Sequence, residues 1–212
     1  VEVDGKQYTA DKIFIATGTE PLIPPIPGLK DVPRLTNLNI FAQTDIPEKL
    51  TIIGGGAIGS EMAQAFSRLG SEVNMFQIDD HLVPTGDEEA GRVLEEKFKK
   101  EGIGVYNSTA INKVEEKDGK IITHTDAGVF ESDKILVATG RKAVLEPLKL
   151  DQAGIEHDKT GIKINKRLET NVKGVYAVGD CNGKALLSHA AMHQGMLALM
   201  NAINPTPIKQ FK

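Results

Sequence analysis

The sequence has no tryptophan, one cysteine and no long apolar run, and each absence excludes a class of protein. A single cysteine, Cys181, cannot form a disulfide within the chain or a cysteine-rich metal site, which fits a reducing compartment. The longest apolar runs, such as 135–138, have the length of a strand and fall far short of the ~20 residues that a membrane helix needs. We therefore expect a cytoplasmic protein with no transmembrane span.

Basic and aromatic side chains are also scarce. The chain has 25 basic and 29 acidic residues, a formal net charge of −4 and 5% aromatic residues. Nucleic-acid-binding proteins concentrate positive charge and aromatic stacking surfaces, so we expect no nucleic-acid partner. The first residues lack an initiating methionine, a basic segment and an apolar segment, so we expect no secretory signal and an internal fragment of a longer protein.

Two segments of the chain nearly repeat each other. Residues 11–18 and 133–140 each read as a short buried strand that runs into a glycine turn. Their separation is too long for a repeat array, so we predict two related domains.

Prolines indicate where these domains meet. Several prolines follow Gly18, and Pro147 interrupts regular structure later in the chain, which indicates connecting segments at both places. We predict a domain over 36–145 inserted between two segments of another domain, 1–35 with the linker and 146–212.

The inserted block has the pattern of an α/β unit. Residues 50–53 form an apolar strand, 58–69 carry apolar side chains at helical spacing, and 72–76 form a second strand. A charged segment, 87–100, predicts a second helix, and 103–131 alternate apolar and polar residues as in an antiparallel β-meander. The fold class is therefore α/β, a three-layer Rossmann-like domain with a parallel sheet and a β-meander crossover.

A glycine fingerprint lies between the first strand and its helix. Residues 54–59 read GGGAIG, which satisfies G-x-G-x-x-G in the required context. Gly54 permits the tight turn, Gly56 lets the backbone approach a pyrophosphate, and Gly59 lets the helix pack closely on the strand. The free amides at the start of the helix would receive the phosphate charge. The alternative is a glycine-rich turn with no ligand.

The end of the second strand carries Gln77, where such folds commonly have an acidic residue that binds a ribose. A glutamine can still hydrogen-bond a 2′-hydroxyl. A 2′-phosphate prefers arginine or lysine, and the nearby Asp79 and Asp80 oppose it electrostatically. We therefore predict NAD rather than NADP, with Gln77 at the adenosine ribose.

Four segments together carry a resemblance to a known family: 16–18 (ATG), 47–70 with the fingerprint, 138–141 (ATGR) and 170–180 (TNVKGVYAVGD). They resemble the pyridine nucleotide-disulfide oxidoreductases, flavoproteins that include dihydrolipoamide dehydrogenase and mercuric reductase. The resemblance implies that the inserted domain binds NAD(P)H, that the flanking segments belong to an FAD domain, and that the intact parent is a homodimer transferring hydride between NAD(H) and FAD.

The fingerprint and the resemblance together give the candidate site. The resemblance places Glu61 on the nicotinamide side, Asp180 at the ribityl chain of the flavin, and 186–189 along the flavin. The candidate cofactor-binding residues are Gly54, Gly55, Gly56, Ala57, Ile58, Gly59, Ser60, Glu61, Gln77, Ala110, Gly140, Asp180, Leu186, Leu187, Ser188 and His189.

The chain also departs from the family. It has one G-x-G-x-x-G motif and no cysteine pair, so it cannot carry out disulfide chemistry alone, and we assign no catalytic residue. We expect the chain alone to be inactive and not to retain FAD. Two alternatives stay open: a fragment of an NADH oxidase or ferredoxin-type reductase, and a nucleotide-binding module without turnover.

Two other side-chain patterns near the C-terminus lack the partners that a metal site or a hydrolase needs. His189 and His193 lie four residues apart on a predicted helix over 186–203, but no third ligand is evident, so we predict no metal site. Ser188 lies in no G-x-S-x-G motif, which disfavours hydrolase chemistry.

Overall fold

A computed structural model describes residues 1–204, 210 and 211. The chain divides into two compact units, which we call unit 1 (Val1–Glu20 with Arg141–Lys212) and unit 2 (Pro21–Gly140). The helices are α1 (Ala57–Arg68), α2 (Glu88–Lys100) and α3 (Ser188–Ile203), with short 3-10 turns at Ile40–Ala42, Glu146–Leu148, Leu150–Ala153 and Gly179–Asn182. The strands are β1 (Glu2–Val3), β2 (Lys6–Gln7), β3 (Ile13–Ile15), β4 (Thr19–Pro21), β5 (Lys49–Ile53), β6 (Glu72–Phe76), β7 (Gly104–Tyr106), β8 (Ile111–Lys117), β9 (Lys120–Thr125), β10 (Gly128–Ser132), β11 (Lys134–Val137), β12 (Arg141–Ala143), β13 (His157–Asp158), β14 (Gly161–Ile162) and β15 (Val175–Ala177).

Unit 2 is built on a four-stranded parallel sheet in the order β11-β5-β6-β7. Strand β5 is buried along nearly its whole length, as its apolar residues Leu50, Ile52 and Ile53 predict for a strand covered on both faces. Helix α1 connects β5 to β6, and α2 connects β6 to β7. The predicted strands at 50–53 and 72–76 and the two predicted helices are confirmed.

The two faces of this sheet belong to different apolar clusters, because side chains alternate along a strand. Ile52 packs with Phe66 of α1 and Phe98 of α2. The next residue, Ile53, packs on the opposite face with Val114 of β8 and with residues of β9. Unit 2 therefore has three layers: helices, parallel sheet and antiparallel sheet. The predicted α/β, Rossmann-like class is confirmed.

The region 103–131 is not one antiparallel meander. Its first strand, β7, pairs parallel to β6 and completes the central sheet, so the antiparallel prediction was wrong for Gly104–Tyr106. A strand of three half-buried residues carries too little alternation to reveal the direction of its pairing. The rest forms the antiparallel sheet β10-β9-β8, and the turn between β8 and β9 lies at Asp118 and Gly119, both with positive φ.

The proline-rich stretch after Gly18 is largely part of unit 2 and not an extended linker. Leu29 and Val32 are buried in the cluster that covers the antiparallel side of the parallel sheet. Leu35 forms a β-bridge to Leu136. The unit boundary consequently lies at 20/21, whereas the sequence pattern placed a boundary at 35/36; the later one lies at 140/141 instead of 145/146.

Unit 1 contains short sheets and helix α3. Strands β15 and β3 form a parallel pair, and β12 pairs with β4. Val175 and Ala177 pack with Leu150 and Ile162, whereas the intervening Tyr176 packs on α3 residues. Helix α3 begins at Ser188 and not at the predicted residue 186, because the preceding Leu187 has extended backbone angles.

None of the helices in the described part of the chain combines the length and the apolar content required to cross a bilayer.

Candidate functional site

In unit 2, the predicted nucleotide-binding residues follow the ends of all strands of the parallel sheet. The segment Gly54–Gly59 follows β5, Gln77 follows β6, Ala110 lies beyond β7, and Gly140 lies beyond β11. The amide of Thr109 donates to the Gln77 carbonyl at 3.0 Å, which brings the loop of Ala110 beside β6. The carboxyl edge of such a sheet is where ligands bind in this architecture.

Each glycine of the fingerprint has a different steric surrounding. Gly54 has a φ of +99°, and a Cβ there would lie 2.5 Å from the Ala138 carbonyl oxygen. A Cβ on Gly59 would lie 1.9 Å from the Gly54 carbonyl oxygen, so the first turn of α1 packs directly on the loop. A Cβ on Gly56 would meet no atom within 4 Å. Gly54 and Gly59 are thus required by the fold itself, whereas the space at Gly56 is open.

The N-terminus of α1 begins at this open space. Gly56 is the N-cap residue and supplies no side-chain cap, so the first amides of the helix have no intrahelical acceptor. Ala57 is exposed and Ile58 is half-buried. The Ser60 hydroxyl donates to the Gly55 carbonyl at 3.3 Å and is buried, so it supports the loop. Glu61 is exposed just beyond the first turn of the helix.

Gln77 is buried and both ends of its amide are hydrogen-bonded. Its Oε1 accepts from the Gly55 backbone amide at 2.8 Å, and its Nε2 donates to Oδ2 of Asp79 at 2.7 Å. The sequence pattern predicts Gln77 at the ribose and Asp79 only as a charge that repels a 2′-phosphate. The structure links the two side chains, and Asp79 is the exposed member of the pair.

A second exposed acidic residue, Asp80, follows Asp79. Nδ1 of His81 lies 2.6 Å from its Oδ1, and this hydrogen bond holds the pKa of the Asp80 carboxyl below its usual value. Arg92 lies at 3.9 Å and acts in the same direction. The low pKa favours the ionised form of Asp80, and the loop after β6 presents two exposed acidic side chains to solvent.

In unit 1, Asp180 lies in the 3-10 turn that follows β15. Thr19 donates its hydroxyl to Oδ2 of Asp180 at 3.0 Å, and Nη1 of Arg141 lies 3.5 Å from the same oxygen. Gln194 of α3 is fully buried, and its Oε1 accepts from the Gly179 amide at 2.7 Å. The turn that holds Asp180 is thus fixed from both sides.

The predicted flavin-side run is exposed. Leu186 and Leu187 precede α3, and Ser188 and His189 form its first residues. His193 lies one helical turn beyond His189, and among residues 1–204, 210 and 211 no group of side chains suited to a metal ion occurs.

Cys181 is fully buried beside Asp180. Its thiol donates to the carbonyl groups of Val178 and Ile15 at 3.2 and 3.4 Å, and burial raises its pKa. A buried thiol held in its protonated form is a poor nucleophile, as expected for a structural residue.

Comparison with known proteins gives a consistent result. Residues 1–195 match the family model described as pyridine nucleotide-disulphide oxidoreductase. The chain is 37% identical over 202 residues to dihydrolipoyl dehydrogenase of Bacillus subtilis, covering 94% of the chain and 44% of the relative. It is 43% identical over 173 residues to mercuric reductase of Shewanella putrefaciens, covering 81% of the chain and 31% of the relative. The chain thus spans less than half the length of these relatives.

Solved structures agree with the fold. LpdA from Mycobacterium tuberculosis aligns with a TM-score of 0.83 and 27% identity over 94% of this chain and 44% of that chain. An HOCl-induced flavoprotein disulfide reductase from Escherichia coli aligns with a TM-score of 0.87 and 24% identity, over 93% of this chain and 46% of the other.

Proposed function

Because the chain belongs to the pyridine nucleotide-disulphide oxidoreductase family, we propose that unit 2 binds NAD(H) and that unit 1 is part of an FAD-binding domain. The chain covers only part of its relatives, and we propose that it belongs to a longer flavoenzyme. That enzyme transfers hydride between NAD(H) and FAD and resembles dihydrolipoyl dehydrogenase.

The observation that carries the nucleotide assignment is the open space at Gly56. The backbone there can be approached to van der Waals distance, and the uncapped amides of α1 begin beside it. A diphosphate fits this site, because the amides donate hydrogen bonds and the positive end of the helix dipole attracts anions. Gly54 and Gly59 hold the turn in place by close backbone packing.

The charge of the loop after β6 supports NAD(H) over NADP(H). Asp79 and Asp80 are both exposed, and the pKa of Asp80 is held below its usual value. A 2′-phosphate beside these acidic side chains would be repelled. A free 2′-hydroxyl can instead donate to the Asp79 carboxylate that Gln77 orients. Gln77 then acts through its two hydrogen bonds, which connect the glycine loop to the ribose-binding acid.

The remaining candidate residues complete this assignment. We propose Glu61 for the nicotinamide side, Ala110 and Gly140 for the walls of the nucleotide site, and Asp180 for a hydroxyl of the flavin ribityl chain. Residues 186–189 would contact the flavin through their backbone.

The chemistry of hydride exchange comes from the bound cofactors, and the protein contributes binding and orientation. A disulfide-exchange step requires two thiols within bonding distance, and this chain contributes only the buried Cys181. The residues that exchange electrons with a final acceptor would therefore lie elsewhere in the longer enzyme.

Rapid mixing of the flavin-loaded, full-length enzyme with NADH in the absence of oxygen tests this function. We expect loss of the flavin absorbance at a rate that saturates with NADH. Gly56→Ala should raise the NADH concentration for half-saturation about tenfold or more, which is about 1.4 kcal/mol of binding free energy. Gly195→Ala is the matched control, since its added methyl group also meets no atom within 4 Å. A flavin that NADH cannot reduce, although a chemical reductant can, would contradict the function.

A further inference from the structure

The Asp180 carboxylate is held through one of its two oxygens. Oδ2 accepts the Thr19 hydroxyl at 3.0 Å and lies 3.5 Å from Nη1 of Arg141. Oδ1 has no hydrogen-bond partner among residues 1–204, 210 and 211. The Asp180 side chain is 14% solvent-exposed, so the carboxylate is mostly buried but still accessible.

The groups that hold Oδ2 are also connected to each other. Nη2 of Arg141 donates to the Thr19 carbonyl at 3.4 Å, and strands β4 and β12, which carry these two residues, are paired. Thr19 and Asp180 are 161 positions apart in sequence. Two segments of unit 1 that are distant from Asp180 in sequence therefore meet at one of its carboxylate oxygens.

We propose that Thr19 and Arg141 are positioning residues that occupy Oδ2 of Asp180 and leave Oδ1 as the acceptor for a hydroxyl of a bound polyol chain. The polyol is the ribityl chain of the flavin, so the proposal rests on the role of Asp180 proposed above.

The physical argument is pre-organisation. A carboxylate that can rotate freely loses rotational freedom when a ligand hydroxyl binds, and this loss weakens the complex. A threonine hydroxyl that faces a carboxylate can only donate, and an arginine adds a charge-assisted contact, so Oδ2 is committed before the ligand arrives. The free oxygen is then already oriented.

The experiment measures the dissociation constant of FAD from the full-length enzyme, by quenching of flavin fluorescence as FAD is added to apoenzyme. Thr19→Val preserves the shape and the strand preference of the side chain but removes the donor. We expect FAD binding about tenfold weaker, as for loss of a hydrogen bond to a charged group. Thr19→Ser keeps the hydroxyl and should bind FAD within about twofold of the wild type.

A matched control lies on the same strand pair. Lys142 pairs with Glu20 at 3.0 Å, and both side chains are about half exposed. Lys142→Gln also removes an interaction between β4 and β12 but does not touch Asp180, and we expect FAD affinity unchanged. Arg141→Lys keeps the charge but loses the planar fork that contacts both Oδ2 of Asp180 and the Thr19 carbonyl, and we expect it to weaken FAD binding.

Asp180→Ala separates this proposal from the function it rests on. If Thr19→Val weakens FAD binding in the wild type but has no effect in the Asp180→Ala background, the hydroxyl acts through the carboxylate as proposed. Equal weakening in both backgrounds, or unchanged affinity in Thr19→Val while Asp180→Ala weakens binding, overturns the positioning role alone. Unchanged affinity in Asp180→Ala overturns the flavin role of Asp180 as well.

Discussion

The two units differ in how completely the described residues bury the apolar faces of their sheets and helices. In unit 2 both faces of the parallel sheet are packed, by helices on one side and by an antiparallel sheet on the other. In unit 1 the parallel sheet has two strands, and α3 exposes Met192, Met196, Leu199 and Ile203, each more than half accessible. Their spacing places them along one side of the helix.

This difference bears on the two proposed ligand sites. All loops of the proposed nucleotide site in unit 2 follow strands of one sheet that is packed on both faces. In unit 1, Asp180 is fixed by its own neighbours, but the apolar side of α3 has no apolar cover in the described residues. We therefore expect NAD(H) binding by this chain, and FAD binding only with further polypeptide.

The largest effect on stability is expected within the glycine loop. There, substitution of one glycine should destabilise the fold, whereas substitution of another should leave stability unchanged. Gly59→Ala places a methyl group 1.9 Å from the Gly54 carbonyl oxygen and should cost about 3 kcal/mol of the free energy of unfolding. Gly56→Ala meets no protein atom and should keep stability within about 0.5 kcal/mol. Urea denaturation of both variants checks this contrast, and equal destabilisation would refute it.

Adjacent residues of α3 test the uncovered face of unit 1. Leu197 is 3% exposed and packs with Tyr176, whereas Met196 is 60% exposed. Leu197→Ala should lose about 2 to 3 kcal/mol of unfolding free energy, and Met196→Ala about 0.5 kcal/mol or less. Thermal unfolding of both variants gives the comparison. A large loss for Met196→Ala would mean that this face is covered in solution.

A smaller effect is expected at Gln77, which connects the glycine loop to β6. Gln77→Leu leaves the buried Gly55 amide without its acceptor and should destabilise the chain by about 1 to 2 kcal/mol. It should also weaken NAD⁺ binding, since Asp79 loses the donor that orients it. Denaturation and titration calorimetry measure the two effects; unchanged values of both would remove Gln77 from the site.

The smallest effect concerns acid stability in unit 2. Hydrogen bonds from Lys97, Arg68 and Gln64 lower the pKa of Glu101 to about 2. Because this pKa is lower in the folded chain than in the unfolded chain, the ion pairs stabilise the fold above about pH 4.5, and this contribution is lost as the pH falls toward about 2. Glu101→Gln should flatten that part of the stability profile, as measured by denaturation across this pH range. A profile identical to that of the wild type would contradict the assignment.

The sequence predicted the local features of unit 2 well, because those features depend on neighbouring residues. The turn at 54–59 follows from glycines with a positive φ or a close backbone contact. The strand before α1 follows from its mostly apolar sequence, and the strand after α1 follows from the alternation of Val73 and Met75 with polar residues. Strand β7 was assigned to the wrong sheet, since three half-buried residues do not record which neighbour they pair with.

Contacts between distant segments were not predictable from the pattern. Arg141 belongs to the segment 138–141 that carries part of the family resemblance. Its contact with Asp180, however, depends on the pairing of β4 and β12. The hydrogen bond between Gln77 and the Gly55 amide likewise depends on the tertiary fold, because it requires the loop after β5 to pass beside the end of β6. For Thr19, the sequence shows only a threonine directly after the Gly18 turn, and nothing in that pattern indicates a contact with Asp180.

Titration calorimetry of this chain with NAD⁺ and, separately, NADP⁺ tests most directly whether unit 2 is a complete NAD(H) site. We expect one site for NAD⁺, at least about tenfold weaker binding of NADP⁺, and loss of NAD⁺ binding in a stably folded Gly56→Ala variant. Tighter binding of NADP⁺, or no binding of either nucleotide to the folded chain, would contradict it.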